Sequence, residues 1–470
     1  MADMMSSEPV RNLRIGRSSV RPVSVQSAAL EPEIQRVGQA LADAIPSARR
    51  HPLRALDHKA MEVAERDEQL RAALFRLVDV TPACRSLDDL AEHLARYLDE
   101  VDERPPTFEA AMRVSHSRAG RKALGAAAAA GVRHMAHRFI VGESPQAALK
   151  PIGELWRSGI ASSVDLLGEA TVTKTEAEHY AGRCRDMLEA LAAEAARWPE
   201  RPVLERDSQG PIPRVNVSVK VTALTPNLRP EAPAVGREDA ARRLRPLLRT
   251  ARDLGAHLHV DMESVDSLET TEELLLALLD EDELQAGPSV GLVLQAYLRE
   301  SPAVLDQVLA WAEDSGRSPP LVIRLVKGAY WDQEMVEARQ RGWHPPVFES
   351  KAECDRNFEA LALRLLEARP RVRVAIASHN LRSVAHAIAA NRALGADDHD
   401  LELQVLRGLG DELAEALARE GFRVRSYCPV GDLVSGMAYL VRRLLENTAN
   451  ESFLRGWRHG ASLDQLLAAP

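Results

Sequence analysis

Two positively charged side chains lie in apolar, β-type segments of the sequence, where a charge must have a partner. Lys220 lies in the segment VSVKV, and Arg324 lies in VIRLVKG. Burying an uncompensated charge is strongly unfavourable, so each cation must be paired or must bind a ligand. A salt bridge to Asp261 or Glu263 is the structural interpretation, and a bound ligand is the functional one.

A predicted helix near the C-terminus carries an aromatic ring, two guanidinium groups and a carboxylate on one face. In PVGDLVSGMAYLVRRLLEN (429–447), Tyr439, Arg442, Arg443 and Glu446 recur at i, i+3, i+4 and i+7. Two adjacent arginines point about 100° apart on a helix and can grip one carboxylate from two sides. The alternative is a solvated face on which Arg442 and Glu446 form an ordinary i,i+4 ion pair.

The composition is that of an ordinary soluble globular protein. The 470 residues are 45% hydrophobic and 27% charged, which excludes a wholly disordered chain and a disulfide scaffold. With 60 Lys and Arg against 69 Asp and Glu, a general nucleic-acid-binding surface is not expected. The four cysteines lack the spacing of a zinc or disulfide framework, so no metal site is expected and a reducing cytosol fits best. The sequence also lacks a signal-peptide pattern and the run of ~18 to 20 apolar residues that spans a bilayer.

The first part of the sequence reads as helical. Residues 1–28 have little apolar periodicity and predict a flexible N-terminal segment. Residues 29–158 predict an all-helical arm and domain, because strand signals are nearly absent and helical patterns recur. Those patterns cover 34–44, 58–78, 87–98 and 122–139.

From residue 159 onward, short β-branched apolar runs alternate with amphipathic helical patterns. The predicted strands are 161–167, 215–221, 258–262, 290–295, 321–326, 372–378, 401–405 and 424–427. Continuous rather than alternating apolar strands indicate a parallel sheet covered by helices. We therefore predict an α/β fold, a (β/α)8 TIM barrel over 159–455, followed by a C-terminal tail or linker stub over 456–470. A doubly wound open sheet is the alternative.

In such a barrel, functional residues lie where the strands end, because the loops that follow converge on one mouth. The predicted strands end on polar side chains of several kinds. These are Asp165, Lys220, Asp261, Gln295, Arg324, Lys327, Ser378, His379, Asn380, Gln404 and Tyr427.

Seven segments together resemble one family, the proline dehydrogenase unit of the bifunctional bacterial proline utilisation flavoproteins. The segments are SVKVTAL (218–224), VDMES (260–264), GLVLQAYLRES (291–301), RLVKGAYWD (324–332), ASHN (377–380), YCPVGDL (427–433) and YLVRRLLENTANESFL (439–454). The resemblance implies a distorted barrel that holds FAD non-covalently, with the final helix over the mouth of the strands. It also implies oxidation of L-proline to Δ1-pyrroline-5-carboxylate by hydride transfer to flavin N5, with a quinone as electron acceptor.

The resemblance also assigns residues to the substrate. Lys220, Arg442 and Arg443 would hold the carboxylate of L-proline. Asp261, Tyr427 and Tyr439 would line the same pocket. Leu406, just past the seventh predicted strand, would pack on the pyrrolidine ring.

A second set of residues would bind the cofactor. Arg324 would approach flavin N5, Gln295 would meet the isoalloxazine edge, and Asp261 would lie beside them. The remaining cofactor contacts implied by the resemblance are Val326, Lys327, Gly328, Ala329, Trp331, Ser378, His379, Asn380 and Glu446.

Two features differ from the bifunctional family members. Those proteins continue as an aldehyde dehydrogenase, whereas this sequence ends at Pro470. It is expected to be either a truncated form or a naturally single-function enzyme, and the helical extension before the barrel favours the truncated form. No counterpart of the DNA-binding domain of some members is evident.

We expect a cytoplasmic protein, and peripheral contact with the inner membrane is compatible with this. Two other functions remain open, a Schiff-base lyase that uses Lys220 and a non-catalytic ligand-binding barrel.

Overall fold

The computed structural model describes residues 27–46, 67–102, 106–114, 117–168, 171–432, 436, 439–440 and 461–470. Its centre is a closed barrel of eight parallel strands, which confirms the predicted barrel and rules out an open sheet. The strands are β1 (Ile160–Leu166), β2 (Asn216–Lys220), β3 (His257–Asp261), β4 (Ser289–Gln295), β5 (Leu321–Val326), β6 (Val372–Ala377), β7 (Leu401–Leu406) and β8 (Arg423–Val430).

The barrel closes through β1, which pairs with strands on both sides. Ile160 to Leu166 pair in parallel with Val424 to Val430 of β8, and Val164 and Asp165 pair with Val217 and Ser218 of β2. The strands are buried on both faces, which explains their nearly continuous apolar sequences.

Helices precede the barrel and surround it. Before β1 lie α1 (Ser27–Ala44), α2 (Glu68–Val80), α3 (Leu87–Asp99), α4 (Pro106–Val114), α5 (Arg118–Phe139) and α6 (Pro145–Arg157). Around the barrel lie α7 (Lys174–Ala195), α8 (Pro233–Asp253), α9 (Val265–Leu279), α10 (Ser301–Asp314), α11 (Trp331–Arg341), α12 (Lys351–Glu367), α13 (Leu381–Ala393) and α14 (Asp411–Arg419). No helix within the described ranges combines the length and hydropathy needed to cross a membrane.

Ser and Thr N-caps fix several helix starts. Ser86, Ser117, Ser144 and Thr173 each accept a hydrogen bond from a backbone N–H of the first turn, at the starts of α3, α5, α6 and α7. The predicted helix over 58–78 is described only from Glu68, and most of the predicted flexible segment lies outside the described residues.

The helices before the barrel contribute to two cores. Leu70 and Leu77 of α2 and Leu90 of α3 belong to a separate buried cluster, against which α4 and α5 pack, whereas α1 and α6 join the core of the barrel. Leu30 and Ile34 of α1 and Trp156 of α6 belong to the same buried cluster as the barrel strands. The end of the chain joins this cluster through Leu467, whose carbonyl oxygen accepts a hydrogen bond from Arg382 Nη1 at 2.6 Å. Residues 461–470 therefore pack against the fold, unlike a free tail. The predicted domain boundaries at 158/159 and 455/456 stay predictions.

A short hairpin, absent from the sequence prediction, closes the amino end of the barrel. It pairs Arg206–Asp207 with Gly210–Pro211 between α7 and β2. The Asp207 carboxylate accepts hydrogen bonds from Arg373 Nη2 at 3.0 Å and Arg423 Nη1 at 3.2 Å, and all three residues are buried. The hairpin thus carries the counter-charge for two arginines at the starts of β6 and β8.

Removing this counter-charge should destabilise the fold. Asp207→Ala leaves two buried guanidinium groups without their shared partner, and breaking a buried ion pair from one side costs about 3–5 kcal/mol. We expect that loss in the free energy of unfolding, measured by urea denaturation. The exposed pair of Arg197 and Glu194 is the control, because Glu194→Gln should change stability by less than about 1 kcal/mol. Equal effects of the two substitutions would contradict this role of the hairpin.

Three buried histidines should make the stability depend on pH. Burial lowers the pKa of His257 to about 3 and that of His386 to about 4, and it lowers the pKa of His259 well below its usual value. All three are neutral in the folded protein and take up a proton on unfolding below about pH 6.5, so stability falls as the pH falls. Between pH 7 and pH 5 each should lower the free energy of unfolding by about 2 kcal/mol.

The substitution His386→Phe tests this pH dependence. Neither ring nitrogen of His386 has a hydrogen-bond partner in the described part of the chain, although Glu359 Oε2 lies 3.9 Å from Nε2. An apolar ring of similar shape should therefore remove about a third of the expected pH effect in urea denaturation. If the difference in the free energy of unfolding between pH 7 and pH 5 is the same in the variant and the wild type, His386 does not contribute to the pH dependence.

Candidate active site

A buried ion pair lies where β1 and β2 end. Lys220 is the last residue of β2, and its Nζ donates a hydrogen bond to Oδ1 of Asp165 near the end of β1. Asp261 Oδ2 lies 3.9 Å from the same ammonium group. The structural interpretation from the sequence named Asp261 or Glu263 as the partner and missed Asp165, which makes the closest contact. The two strands are adjacent in the barrel, so their ends bring these side chains together.

The carboxylates around Lys220 keep its amine protonated. Burial alone would lower the pKa of Lys220, but the negative charges of Asp165, Asp261 and Glu263 outweigh it and raise the pKa above its usual range. Lys220 is therefore a fixed positive charge at the carboxyl end of the barrel, and its nitrogen is not free to attack a carbonyl group.

Asp261, the last residue of β3, joins two other predicted site residues. Arg324 Nη1 of β5 donates to Asp261 Oδ1 at 2.7 Å, and the Tyr427 hydroxyl of β8 donates to Asp261 Oδ2 at 2.6 Å. The Arg324 guanidinium carbon lies 5.4 Å from the centre of the Tyr427 ring. Burial, followed by the nearby carboxylates, raises the pKa of Tyr427 well above its usual value, so the hydroxyl remains a donor.

Two serines of neighbouring strands accept hydrogen bonds from Arg324. Arg324 Nη2 donates to Ser163 Oγ at 3.0 Å and to Ser218 Oγ at 3.4 Å, and the Ser163 hydroxyl donates to Asn216 Oδ1 at 2.8 Å. Ser163 and Asp165 are two residues apart on β1, and Ser218 and Lys220 are two apart on β2. This spacing places each serine on the same inward face as the charged residue above it. The sequence signal for both serines is this spacing of two from Asp165 and Lys220.

Polar atoms without partners remain at this end of the barrel. Gln295 ends β4 and donates from Nε2 to the carbonyl oxygen of Glu263 at 3.0 Å. Its Oε1 is buried and has no hydrogen-bond partner among the described residues, and the same is true of Arg324 Nε. Buried polar atoms are normally hydrogen-bonded, so these two atoms indicate a place for a polar ligand.

The loop after β5 carries five of the predicted cofactor contacts. Val326 ends β5, and Trp331 begins α11 and donates from Nε1 to the Phe348 carbonyl oxygen at 2.8 Å. Gly328 has φ +141°, and a Cβ there would lie 2.5 Å from the Tyr297 ring, so only glycine fits. Gly328 and Ala329 are exposed.

Lys327, in the same loop, is engaged elsewhere. Its ammonium group donates to Asp355 Oδ1 of α12, and its carbonyl oxygen accepts from the Tyr297 N–H at 2.7 Å. Burial lowers the pKa of Lys327, although the Asp355 carboxylate opposes this shift. The charge of Lys327 is thus paired with a carboxylate of α12, and its contact with a cofactor stays a prediction.

The three residues that follow Ala377 of β6 accept hydrogen bonds from backbone N–H groups. Ser378 Oγ accepts from the Asn380 N–H at 3.1 Å, and Asn380 Oδ1 accepts from the Ser383 N–H at 3.1 Å as the N-cap of α13. The cap accounts for the residue type of Asn380, and the cofactor contact that the resemblance implies for it stays a prediction. His379 Nε2 accepts from the Leu406 N–H at 2.8 Å. Leu406 is the last residue of β7, not the residue just past it as predicted.

Tyr439 packs near the C-terminal end of α5. It shares a buried cluster with Phe139, Ile140 and Leu167, and Leu406 packs against this cluster. Tyr439 and Leu406 thus belong to one apolar cluster, and their place beside the substrate stays a prediction. Arg442, Arg443 and Glu446 lie outside the described residues, and the position of the final helix over the mouth stays a prediction.

Comparisons with known proteins match this architecture over most of the chain. The family model for proline dehydrogenase matches residues 148–456, and the model for the proline utilization A N-terminal domain matches residues 31–139. The structure of proline utilization A from Bdellovibrio bacteriovorus, inactivated by N-propargylglycine, superposes with a TM-score of 0.84 at 35% sequence identity. That match covers 93% of this chain and 43% of the other.

Curated relatives include proteins of two lengths. The bifunctional protein PutA of Salmonella typhimurium is 33% identical over 350 residues, which is 72% of this chain but 25% of that protein. Proline dehydrogenase 1 of Bacillus subtilis is 28% identical over 333 residues, covering 70% of this chain and 92% of that protein. The chain thus spans about a quarter of the bifunctional relatives it matches. Because the family model covers more than half of its residues, the chain belongs to the proline dehydrogenase family.

Proposed function

We propose that this protein oxidises L-proline to Δ1-pyrroline-5-carboxylate with bound FAD, and that a quinone takes up the electrons. The observation that carries the proposal is two sets of hydrogen-bonded charged and polar side chains at the carboxyl end of the barrel. Lys220 is held by Asp165, and Asp261 joins Arg324 to Tyr427. Support for the quinone, and for peripheral contact with a membrane that contains it, comes from the family resemblance alone.

The proposed substrate is anionic at its carboxylate, and the site supplies fixed cations. Lys220 is protonated and 13% exposed at its side chain, so its ammonium group can bind a carboxylate that enters from the mouth. Arg442 and Arg443 are proposed to complete the carboxylate site, with Tyr439 and Leu406 beside the ring. Tyr427 and Asp261 would fix the opposite side of the ring and exclude water.

The residues at the ends of β4 and β5 fit a flavin. The unpaired Gln295 Oε1 can accept from an N–H at the edge of an isoalloxazine ring, and the unpaired Arg324 Nε can donate to a ring nitrogen. Val326, Gly328, Ala329 and Trp331 would hold the cofactor by the backbone and side chains of the loop after β5. The remaining proposed cofactor residues are Lys327, Ser378, His379, Asn380 and Glu446. When bound, FAD supplies the acceptor for a hydride from C5 of proline.

The electrostatics of the site disfavour the lyase alternative. A Schiff-base mechanism needs Lys220 as a neutral nucleophile, and a lysine is activated for this by a lowered pKa. The surrounding carboxylates shift the pKa of Lys220 in the opposite direction. Borohydride trapping should therefore fail to attach a carbonyl substrate to Lys220.

The function can be tested with the purified chain. It should be yellow, or should become yellow and retain the colour on gel filtration after incubation with FAD. Adding L-proline without oxygen should bleach the visible flavin band, whereas D-proline should not. A chain that takes up no FAD, or that takes it up without bleaching by L-proline, would contradict the proposed function.

A further inference from the structure

The amino end of the barrel interior contains a small cavity with polar walls. The interior of a (β/α)8 barrel is normally filled by branched apolar side chains. Here a cavity of about 20 Å³ remains. The charged and titratable side chains lining it are Arg373 of β6, Glu402 of β7, Arg423 and Arg425 of β8, and His257 and His259 of β3. All six lie within the first three positions of their strands, so the cavity is separate from the candidate active site, where the strands end.

One of the three arginines, Arg425, has a carboxylate of its own. Its Nε and Nη2 donate to the two carboxylate oxygens of Glu402 at 2.8 and 2.9 Å, and its Nη1 donates to the Ser162 carbonyl oxygen at 2.8 Å. Burial alone would raise the pKa of Glu402, but Arg425 opposes this and the pKa is lowered to about 2, so the carboxylate is charged. Arg425 and Glu402 therefore form a neutral pair.

The other two arginines share a single carboxylate. Arg373 Nη2 donates to Asp207 Oδ1 at 3.0 Å, and Arg423 Nη1 donates to Asp207 Oδ2 at 3.2 Å. The Nε atoms of Arg373 and Arg423 are buried and have no hydrogen-bond partner among the described residues. Arg423 Nε lies 3.8 Å from Glu402 Oε2, but that carboxylate is already paired with Arg425. Because arginine keeps its proton in proteins, two buried positive charges face one negative charge.

The other titratable groups described near the cavity do not cancel this excess. Burial lowers the pKa of His257 to about 3 and that of His259 well below its usual value, so both rings are neutral. Arg369 and Asp400 lie beside the hairpin that carries Asp207, and their opposite charges act on each other. They add no net charge, so one positive charge remains at this end of the barrel.

We propose that this cavity is a binding site for one monatomic anion, chloride, in contact with Arg373 and Arg423. Leaving a buried charge without a counter-charge is costly, and an anion between the two guanidinium groups removes that cost. A cavity of ~10–15 Å³ or more accommodates one water-sized particle, so about 20 Å³ is room for one small ion. A carboxylate or a phosphate is too large for it. The anion would connect β6 and β8 at the end where the hairpin of residues 206–211 closes the barrel.

A crystal of the full chain grown in sodium bromide tests the site directly. Bromide replaces chloride and is located by its anomalous scattering at the bromine absorption edge. We expect an anomalous difference peak inside the barrel, in contact with the guanidinium groups of both Arg373 and Arg423. A water molecule at this position, with no anomalous signal, would overturn the proposal.

Urea denaturation of the full chain measures the binding in solution. At constant ionic strength, sodium gluconate is exchanged for sodium chloride, because gluconate is too large for the cavity. An anion that binds only the folded chain lowers the equilibrium constant for unfolding by the factor 1 + [Cl⁻]/Kd. With a Kd of about 10 mM or below, 100 mM chloride should lower this constant ~10-fold or more. Equal stability in the two salts would contradict chloride binding.

Three variants connect the chloride effect to the shared carboxylate. Arg373→Met leaves Arg423 and Asp207 as a neutral pair, so the chloride effect should fall below about twofold. Asp207→Asn leaves both arginines without a carboxylate, so the effect should exceed that of the wild type. Arg371→Met is the matched control, because Arg371 lies two positions before Arg373 but is exposed and paired with Glu313 at 2.8 Å. It should keep the full effect.

A chloride effect that persists in Arg373→Met, or that disappears in Arg371→Met, would overturn the proposed site. If Arg373→Met does not fold, the bromide crystal of the wild-type chain decides the question.

Discussion

The substitution Asp261→Ala should lower kcat/KM for L-proline by about 10²- to 10⁴-fold. Asp261 accepts from Arg324 at 2.7 Å and from Tyr427 at 2.6 Å, and Lys220 lies 3.9 Å away. Hydrogen bonds to charged groups contribute roughly 1.5–3 kcal/mol each. The loss of two such bonds corresponds to a decrease in kcat/KM of about 10²- to 10⁴-fold. Without Asp261, two groups proposed to contact the ring and the cofactor lose the residue that orients them. Steady-state kinetics with L-proline measures the effect.

Control variants separate this effect from unfolding. Asp261→Asn keeps the size of the side chain and one acceptor, so its loss of kcat/KM should be intermediate. Asp207→Ala removes a buried carboxylate at the opposite end of the barrel, and its folded fraction should keep kcat/KM within about threefold. A folded Asp261→Ala variant with kcat/KM within tenfold of wild type would show that Asp261 does not organise the site.

The substitution Lys220→Met should raise KM for L-proline about 10- to 150-fold and change kcat much less. The proposed role of Lys220 is to bind the substrate carboxylate, and one charge-assisted hydrogen bond corresponds to roughly 1.5–3 kcal/mol. The variant also leaves Asp165, which is 1% exposed, without its cation, so stability should fall by about 3–5 kcal/mol. Kinetics and urea denaturation are measured on the same samples.

A double variant distinguishes binding from structure. In Asp165→Asn with Lys220→Met, the buried charge is removed together with its partner, so much of the lost stability should return. KM for L-proline should remain high, because no ammonium group is present to bind the carboxylate. If the double variant restores both stability and KM, Lys220 only maintains the fold and the proposed substrate contact is wrong.

The barrel could be predicted because its strands are buried on both faces. Such strands read as continuous apolar runs, and all eight predicted strands overlap observed ones. The predicted strand 321–326 matches β5 (Leu321–Val326) at both ends. The hairpin at Asp207 could not be predicted, because its strands are two residues long and its stability comes from arginines more than 160 positions further along the chain.

The candidate site was only partly predictable for a related reason. The end of each strand could be identified, so Lys220, Asp261, Arg324 and Tyr427 were expected near one another. The pairing of Lys220 with Asp165 depends on which strands are neighbours in the closed barrel, and 55 positions separate the two residues. The helix cap made by Asn380 was likewise not expected from its position after a strand, and its proposed cofactor contact stays a prediction.

The central claim is that a proline held by Lys220 and the Asp261 group gives up a hydride from C5 to a bound flavin. Anaerobic stopped-flow absorbance with L-proline deuterated at C5 tests it most directly. Bleaching of the flavin band should be slowed by a primary isotope effect with C5-deuterated proline and not with proline deuterated only at Cα. Bleaching that is insensitive to deuterium at C5 but slowed by deuterium at Cα would contradict the account, as would the absence of bleaching in a flavin-loaded sample.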